Sequence, residues 1–347
     1  MTRNNAYRAA RLLLGTICVL LLLLVAGAAV LLVPHRGPLT PTGRYDVSTV
    51  EYTFADESRI EAYTDTGAHR IVNVTFWYPE GARGRFPLVV FSHGAFGTRN
   101  SNVSLYTELA SHGYVVAALD HPYHAPWTRD VEGRLIFLSL EYAQELQRED
   151  ARADKEQSLA YYQTWMRIRM DDINLVIDTV LGHAAEDAAG VHGLIDTDRL
   201  GVVGHSLGGA AALGIGRQRS DVGAVIALEA PFLYEIIGVE SDEFVFIKDP
   251  YPTPVLSIYS DSSWEHLAEW PQYARNYALL TDARAQVANL HIRGVGHLAL
   301  TDLALSNPWL VRLLDGISVT GDGAEALRLI NSTGLEFLDH HLKSELD

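Results

Sequence analysis

One cysteine, Cys18, occurs in 347 residues. No intramolecular disulfide can form, and no thiolate cluster is available to hold a metal. Cys18 lies inside an apolar run, which makes packing or lipid contact its role. Thr16 and Ile17 precede it, where a lipoprotein site would carry small residues. Basic residues are also scarce: 27 Lys and Arg stand against 43 Asp and Glu, a formal net charge of −16. That balance excludes nucleic acid as a partner, because phosphate binding needs a basic face. It is equally unsuited to gripping an anionic membrane surface. The acidity serves a solvated exterior. His121, His124, His340 and His341 match no compact ligand spacing, so no metal is expected. Internal repeats and low-complexity tracts are absent.

What is present is a globular composition, 48% hydrophobic and 20% charged, enough for one large domain or two small ones. Residues 12–33 form an uncharged, leucine-rich run, with Arg3, Arg8 and Arg11 in the short basic segment 1–11 before it. About 20 apolar residues suffice to cross a bilayer. The basic flank belongs on the cytoplasmic side, so the rest of the chain is expected outside. Ala26-Gly27-Ala28 also resembles a signal-peptide cleavage site, but the run continues past it to Val33, and an uncleaved anchor is the expectation. Either reading exports the remainder. Residues 34–44, with three prolines and two glycines, read as an extended linker.

Beyond the linker, residues 45–347 read as one α/β domain. Val50, Tyr52 and Phe54 alternate with polar neighbours in an opening strand, and a second strand covers residues 71–78. Short apolar runs then recur at 88–91, 114–119, 200–203, 224–228, 254–259 and 287–292, separated by helical stretches. Eight strands result, six of them apolar enough for a parallel sheet buried on both faces. Residues 161–181 are strongly helical, with Ile168, Ile173, Val176, Ile177 and Val180 forming a stripe. Residues 121–160 are irregular and read as a small lid insertion over the C-terminal edge of the sheet, where such folds bind ligands. Its apolar cluster, residues 135–138, is expected to overhang the site described next.

The strand at 200–203 runs into Gly204-His205-Ser206-Leu207-Gly208-Gly209, and a helix follows. A serine bracketed by glycines between strand and helix is a nucleophile elbow, whose sharp turn requires small neighbours. Acyl transfer also needs donors for a developing oxyanion. One is expected from the N–H of Leu207. The other is expected from the loop Ser92-His93-Gly94-Ala95-Phe96-Gly97, with Ala95 chosen and Phe96 as the neighbour that could replace it. The base should follow the last strand. In His291-Ile292-Arg293-Gly294-Val295-Gly296-His297, the loop residue His297 is the candidate and the strand residue His291 is structural. His93 and His205 are expected beside the site, outside the chemistry.

These motifs, with Asp198-Arg199-Leu200-Gly201 before the elbow, resemble the α/β-hydrolase superfamily over roughly residues 45–345. The likeness is strongest to bacterial relatives of platelet-activating-factor acetylhydrolase, and more distant to dienelactone-hydrolase-like enzymes, from which Ser in place of Cys separates it. Ala227-Leu228-Glu229-Ala230-Pro231 and Ser260-Asp261 are the stretches particular to the acetylhydrolase-like group, which usually carries Asp where Glu229 stands. The resemblance implies hydrolysis of carboxylic esters, with a short or lipid-like acyl group, through an acyl-enzyme and without a cofactor. It also implies the place of the acid. The acetylhydrolase-like group puts it after the sixth strand, at Glu229, whereas most α/β-hydrolases put it after the seventh, at Asp261. Two other functions fit the sequence less well: a serine exopeptidase, which usually needs a gating domain, and a non-catalytic binding module of the same fold.

Overall fold

A computed structural model describes residues 36–186, 190–282, 286–316 and 320–343. The candidate anchor, residues 12–33, lies outside the described residues. Among those described, no helix is long and apolar enough to cross a membrane.

The strands are β1 (Val47–Ile60), β2 (His69–Pro79), β3 (Phe86–Ser92), β4 (Val115–Leu119), β5 (Trp127–Arg129), β6 (Leu135–Phe137), β7 (Ile195–His205), β8 (Val222–Leu228), β9 (Ile236–Glu240), β10 (Glu243–Phe246), β11 (Val255–Tyr259) and β12 (Val287–His291). The helices are α1 (Val103–Ser111), α2 (Leu140–Arg148), α3 (Lys155–Ala185), α4 (Leu207–Gln218), α5 (Asp261–Trp264), α6 (Ala274–Leu279), α7 (Leu303–Ser306), α8 (Pro308–Asp315) and α9 (Gly323–Leu342). Eight strands make one sheet in the order β1-β2-β4-β3-β7-β8-β11-β12. These are the eight runs expected from the sequence. From β4 to β12 every neighbouring pair is parallel, and β2 runs antiparallel to both β1 and β4.

Successive side chains of a strand point to opposite faces, so each apolar strand feeds two cores. Leu88 and Val90 pack with α3 and α4 on one face; Val89 and Phe91 pack with α1 and α9 on the other. On α3 the stripe Ile173, Val176, Ile177 and Val180 is wholly buried. Cutting Ile173 or Ile177 to Ala would cost about 2–5 kcal/mol. The helix starts earlier than its apolar stripe suggests, because Asp154 caps it by accepting from the Gln157 N–H at 2.9 Å. The charge-rich end of the insertion, expected to be irregular, is helical at its two ends, in α2 and the first turn of α3, with a turn between them.

The insertion also sits differently from expectation. Its β5–β6 hairpin is tied to the β1–β2 side of the sheet: Asn73 Nδ2 donates to Thr128 Oγ1 at 2.9 Å, and the Val131 N–H donates to Thr53 Oγ1 at 3.0 Å. At about 4.8 Å per strand, β2 lies roughly 14 Å from β7. Leu135 and Phe137 are exposed there and rim a cavity of about 680 Å³ with Tyr63 and Tyr123. The apolar cluster therefore stands over the β1–β2 edge and does not overhang the elbow. The part of the insertion that reaches the loop after β3 is polar: His121 Nε2 lies 2.8 Å from Ser92 Oγ.

Candidate active site

Ser206 occupies the turn between β7 and α4 with φ 55° and ψ −125°, a conformation L-residues rarely hold. Its N–H donates to Leu228 O on β8 at 2.8 Å, and its carbonyl accepts from the Ala210 N–H at 2.9 Å, so the strained turn is pinned from both sides. The glycines are a steric requirement. A Cβ on Gly208 would lie 2.0 Å from Ser92 O, and one on Gly204 would lie 2.3 Å from the Gly208 backbone. Gly94 brings the loop after β3 against the elbow, where a Cβ would stand 3.1 Å from that of Ser206. Leu207 opens α4, so its N–H belongs to the first turn, whose donors have no intrahelical partner. Ala95 is half-buried in the facing loop, next to Phe96, which is exposed and has φ 56°.

His297 opens a short 3₁₀ turn after Gly296, and its N–H donates to Ser262 Oγ at 3.0 Å. Its Nδ1 lies 3.2 Å from Glu229 Oε2, leaving Nε2 free of the carboxylate. The His297 side chain keeps 32% of its surface exposed, while that of Glu229 keeps 1%. Glu229 is the first residue after β8, with φ 50° and its N–H on Ile258 O at 2.6 Å. Ser260 Oγ donates to the same Oε2 at 2.5 Å. Burial alone would raise the Glu229 pKa. The hydrogen bond and positive field of His297, with neighbouring hydroxyls, outweigh it and lower the pKa to about 2. Burial alone would lower the His297 pKa, yet the bond to Glu229 and its charge, helped by Asp315, raise it. The two groups stabilise each other's charged forms.

A family model described as platelet-activating factor acetylhydrolase, isoform II, matches residues 72–347. The chain belongs to the platelet-activating factor acetylhydrolase isoform II family. Similar curated relatives include the platelet-activating factor acetylhydrolase of Canis lupus familiaris, 26% identical over 74% of this chain and 57% of that protein. Cutinase est1 of Thermobifida alba is 28% identical over 56% of this chain and 50% of its own length. The chain spans between about half and two thirds of the length of the curated relatives it matches. Among solved structures, a ferulic acid esterase from Streptomyces cinnamoneus superposes with a TM-score of 0.68 at 24% identity, covering 89% of this chain and 93% of its own. That likeness shows the fold.

In this member of the acetylhydrolase family the two candidate acids have different partners. Glu229 meets His297. Asp261, at the start of α5, accepts from His291 Nε2 at 2.7 Å and from the Gly294 N–H at 2.7 Å. It braces the loop that delivers His297 without touching the imidazole. His205 lies beside His297, ring centroids 4.5 Å apart, and its Nε2–H donates to the His297 carbonyl at 3.2 Å. Burial, then the charge of His297, lower its pKa to about 3, so it is a neutral brace.

Behind the loop after β3 lies a buried polar layer for which composition and spacing carried no signal. His121 Nδ1–H donates to Asp172 at 3.0 Å, and its Nε2 accepts from Ser92 Oγ at 2.8 Å. Arg70 grips Asp172 with Nε and Nη2 and reaches Glu61 with Nη1. His93, flagged as a neighbour of the site, is wholly buried in this layer. Ser260 and Asp315 were also missed. Asp315 Oδ1 accepts from the Leu298 N–H at 3.0 Å, one residue beyond His297. Among the described residues no group of three or more His, Cys, Asp or Glu could hold a metal ion.

Proposed function

We propose that this chain is a serine ester hydrolase, with Ser206 as nucleophile, His297 as general base and Glu229 as the acid that orients and charges it. The observation that carries the reading is the 3.2 Å approach of His297 Nδ1 to the buried, hydrogen-bonded Glu229 carboxylate, with Ser206 on a strained elbow next to His205, whose ring lies 4.5 Å from that of His297. With Nδ1–H directed at Glu229, Nε2 is the lone-pair nitrogen, the tautomer that takes the Ser206 proton. Ser206 Oγ then bonds to the ester carbonyl carbon. The carbonyl oxygen becomes an anion facing the N–H groups of Leu207 and Ala95. Collapse expels the alcohol, which leaves with the proton from His297. Water repeats the sequence on the acyl-enzyme, with His297 again as base, and releases the acid.

The family and the cutinase and esterase likenesses support a carboxylic ester, short or lipid-like in its acyl part, as the substrate class, with no cofactor required. A fluorophosphonate probe should label the wild-type chain and fail on Ser206→Ala. A panel of p-nitrophenyl esters from acetate to palmitate, beside a peptide panel, then reads the acyl preference. Absence of labelling and of turnover on every ester would sink the proposal.

The leucine-rich residues 12–33 and their arginine flank support a further part of the reading: a single-pass cell-membrane anchor with the catalytic domain outside the cytoplasm. Protease added to intact cells should remove the domain. Recovery of a mature form in the medium starting near Ala29 would favour a cleaved signal peptide instead.

A further inference from the structure

α3 carries one buried residue that packing does not explain. Its inward face is apolar along most of its length, yet Arg169 sits among Trp165, Met166, Met170 and Ile173 with no exposed surface. Arg70, in the same layer, is paired with both Asp172 and Glu61. Arg169 has no carboxylate within ion-pair distance among the described residues. Its Nη1 donates to the His93 carbonyl at 2.6 Å, its Nη2 to Tyr142 Oη at 3.3 Å, and its buried Nε has no partner. A buried cation without a counter-ion carries a penalty of several kcal/mol, and an apolar side chain of similar volume would be tolerated there at least as well. A residue kept at such a cost needs a use elsewhere, and its strongest contact is to the loop that faces Ser206.

That contact continues to the reacting side. The His121 N–H donates to His93 Nε2 at 3.1 Å, which makes Nε2 the acceptor and places the imidazole proton on Nδ1. Nδ1–H then donates to Gly94 O at 2.6 Å, the carbonyl that also accepts from the Gly97 N–H at 3.1 Å. Gly94 O belongs to the peptide whose N–H is that of Ala95. Donation to the carbonyl end polarises a peptide and strengthens its N–H as a donor. Burial, then the nearby Arg169 charge, hold His93 neutral, the state this chain of bonds requires.

Resting on the ester-hydrolase reading above, we infer that Arg169 is a positioning residue: its grip on the His93 carbonyl, braced by Tyr142, aims the Ala95 N–H at the developing oxyanion, at the expense of stability. Direct loss of one oxyanion donor costs about 10²–10³ in kcat, and loss of its support should cost less. Full-length Arg169→Met is expected to lose roughly 10–100-fold in kcat on p-nitrophenyl acetate, with KM within about 3-fold. Affinity for phenylboronic acid, which adds to an activated serine as a tetrahedral anion, should fall by the same factor as kcat. Tm should stay unchanged or rise, because the unpaired buried charge is gone. A merely structural arginine would lower Tm and leave kcat and boronate affinity together at the wild-type level, which overturns the inference. Arg169→Lys, with charge but no two-armed grip, should fold and lose about 3–10-fold in kcat at unchanged KM. If Arg169→Met does not fold, wild-type kcat in Arg169→Lys overturns the inference. A wild-type chain inactive on the ester overturns the ester-hydrolase reading itself, whereas an active wild type beside an equally active Arg169→Met overturns this inference alone.

Discussion

Replacing Glu229 by Gln keeps the shape of the side chain and removes its charge. The carboxylate is 1% exposed, so solvent screens it little. Its pKa falls from 4.5 to about 2 on folding, against the effect of burial. At about 1.4 kcal/mol per unit, its surroundings favour the charged form by about 3 kcal/mol, or about two orders of magnitude. The amide can also offer its NH₂ to His297 Nδ1, stabilising the tautomer that cannot accept the serine proton, a defect worth up to about 10⁴ in a comparable triad. Glu229→Gln should therefore lose about 10²–10⁴-fold in kcat on p-nitrophenyl acetate. The pH profile of kcat/KM gives a second reading. In the proposed mechanism neutral His297 is the active form, and Glu229 raises its pKa above the ordinary 6.5, so wild-type activity should climb with pH through a value above 6.5. Without the carboxylate charge, burial dominates and the acid limb should move to lower pH. In the wild type, the stability contributed by the depressed Glu229 pKa is present above pH 4.5 and lost as pH falls toward about 2. Turnover within tenfold of wild type, or an acid limb that stays in place, would refute the assignment of Glu229 as the acid.

Asp261→Asn tests the other carboxylate: it should keep turnover within about tenfold while losing roughly 1–2 kcal/mol in urea melts, since the amide can accept only one of the two bonds from His291 and Gly294 and none involves His297. Ser206→Gly should be inactive yet more stable by about 1–3 kcal/mol, because glycine relieves the positive φ of the elbow; equal or lower stability would show that no strain is stored there. Gly208→Ala should abolish activity and lower Tm, since its Cβ would overlap Ser92 O at 2.0 Å and drive the loop after β3 away from the elbow. Exchange of Leu135 and Phe137 for serine should leave the acyl-chain preference on p-nitrophenyl esters unchanged, given their place on the β1–β2 side; a shifted profile would return that cluster to the acyl pocket.

Much of the fold was legible in the sequence because its signals are local. Six sheet strands announced themselves as short apolar runs and β1 as an alternation, although β1 and β7 run well beyond the stretches so marked, and the glycines around Ser206 are demanded by one sharp turn within six residues. His297 could be chosen over His291 because one follows two glycines in a loop and the other lies in a strand. What the sequence left open depended on contacts between distant segments. Glu229 and Asp261 each end a neighbouring strand, 32 residues apart in sequence, and both have a histidine within reach of the sheet edge. Strand order and the loop after β11 alone decide that Asp261 turns to His291 and Glu229 to His297. The apolar run at residues 135–138 looked like a pocket wall because hydrophobicity does not say which part of a sheet a hairpin will cover; the bond that Asn73 donates to Thr128 and the one that Thr53 accepts from Val131 hold it at the far strands. Arg169 was invisible for the same reason. In sequence it is one more charge on an amphipathic helix, and only the packing of α3 against β3 takes it out of water and brings its guanidinium to the His93 carbonyl.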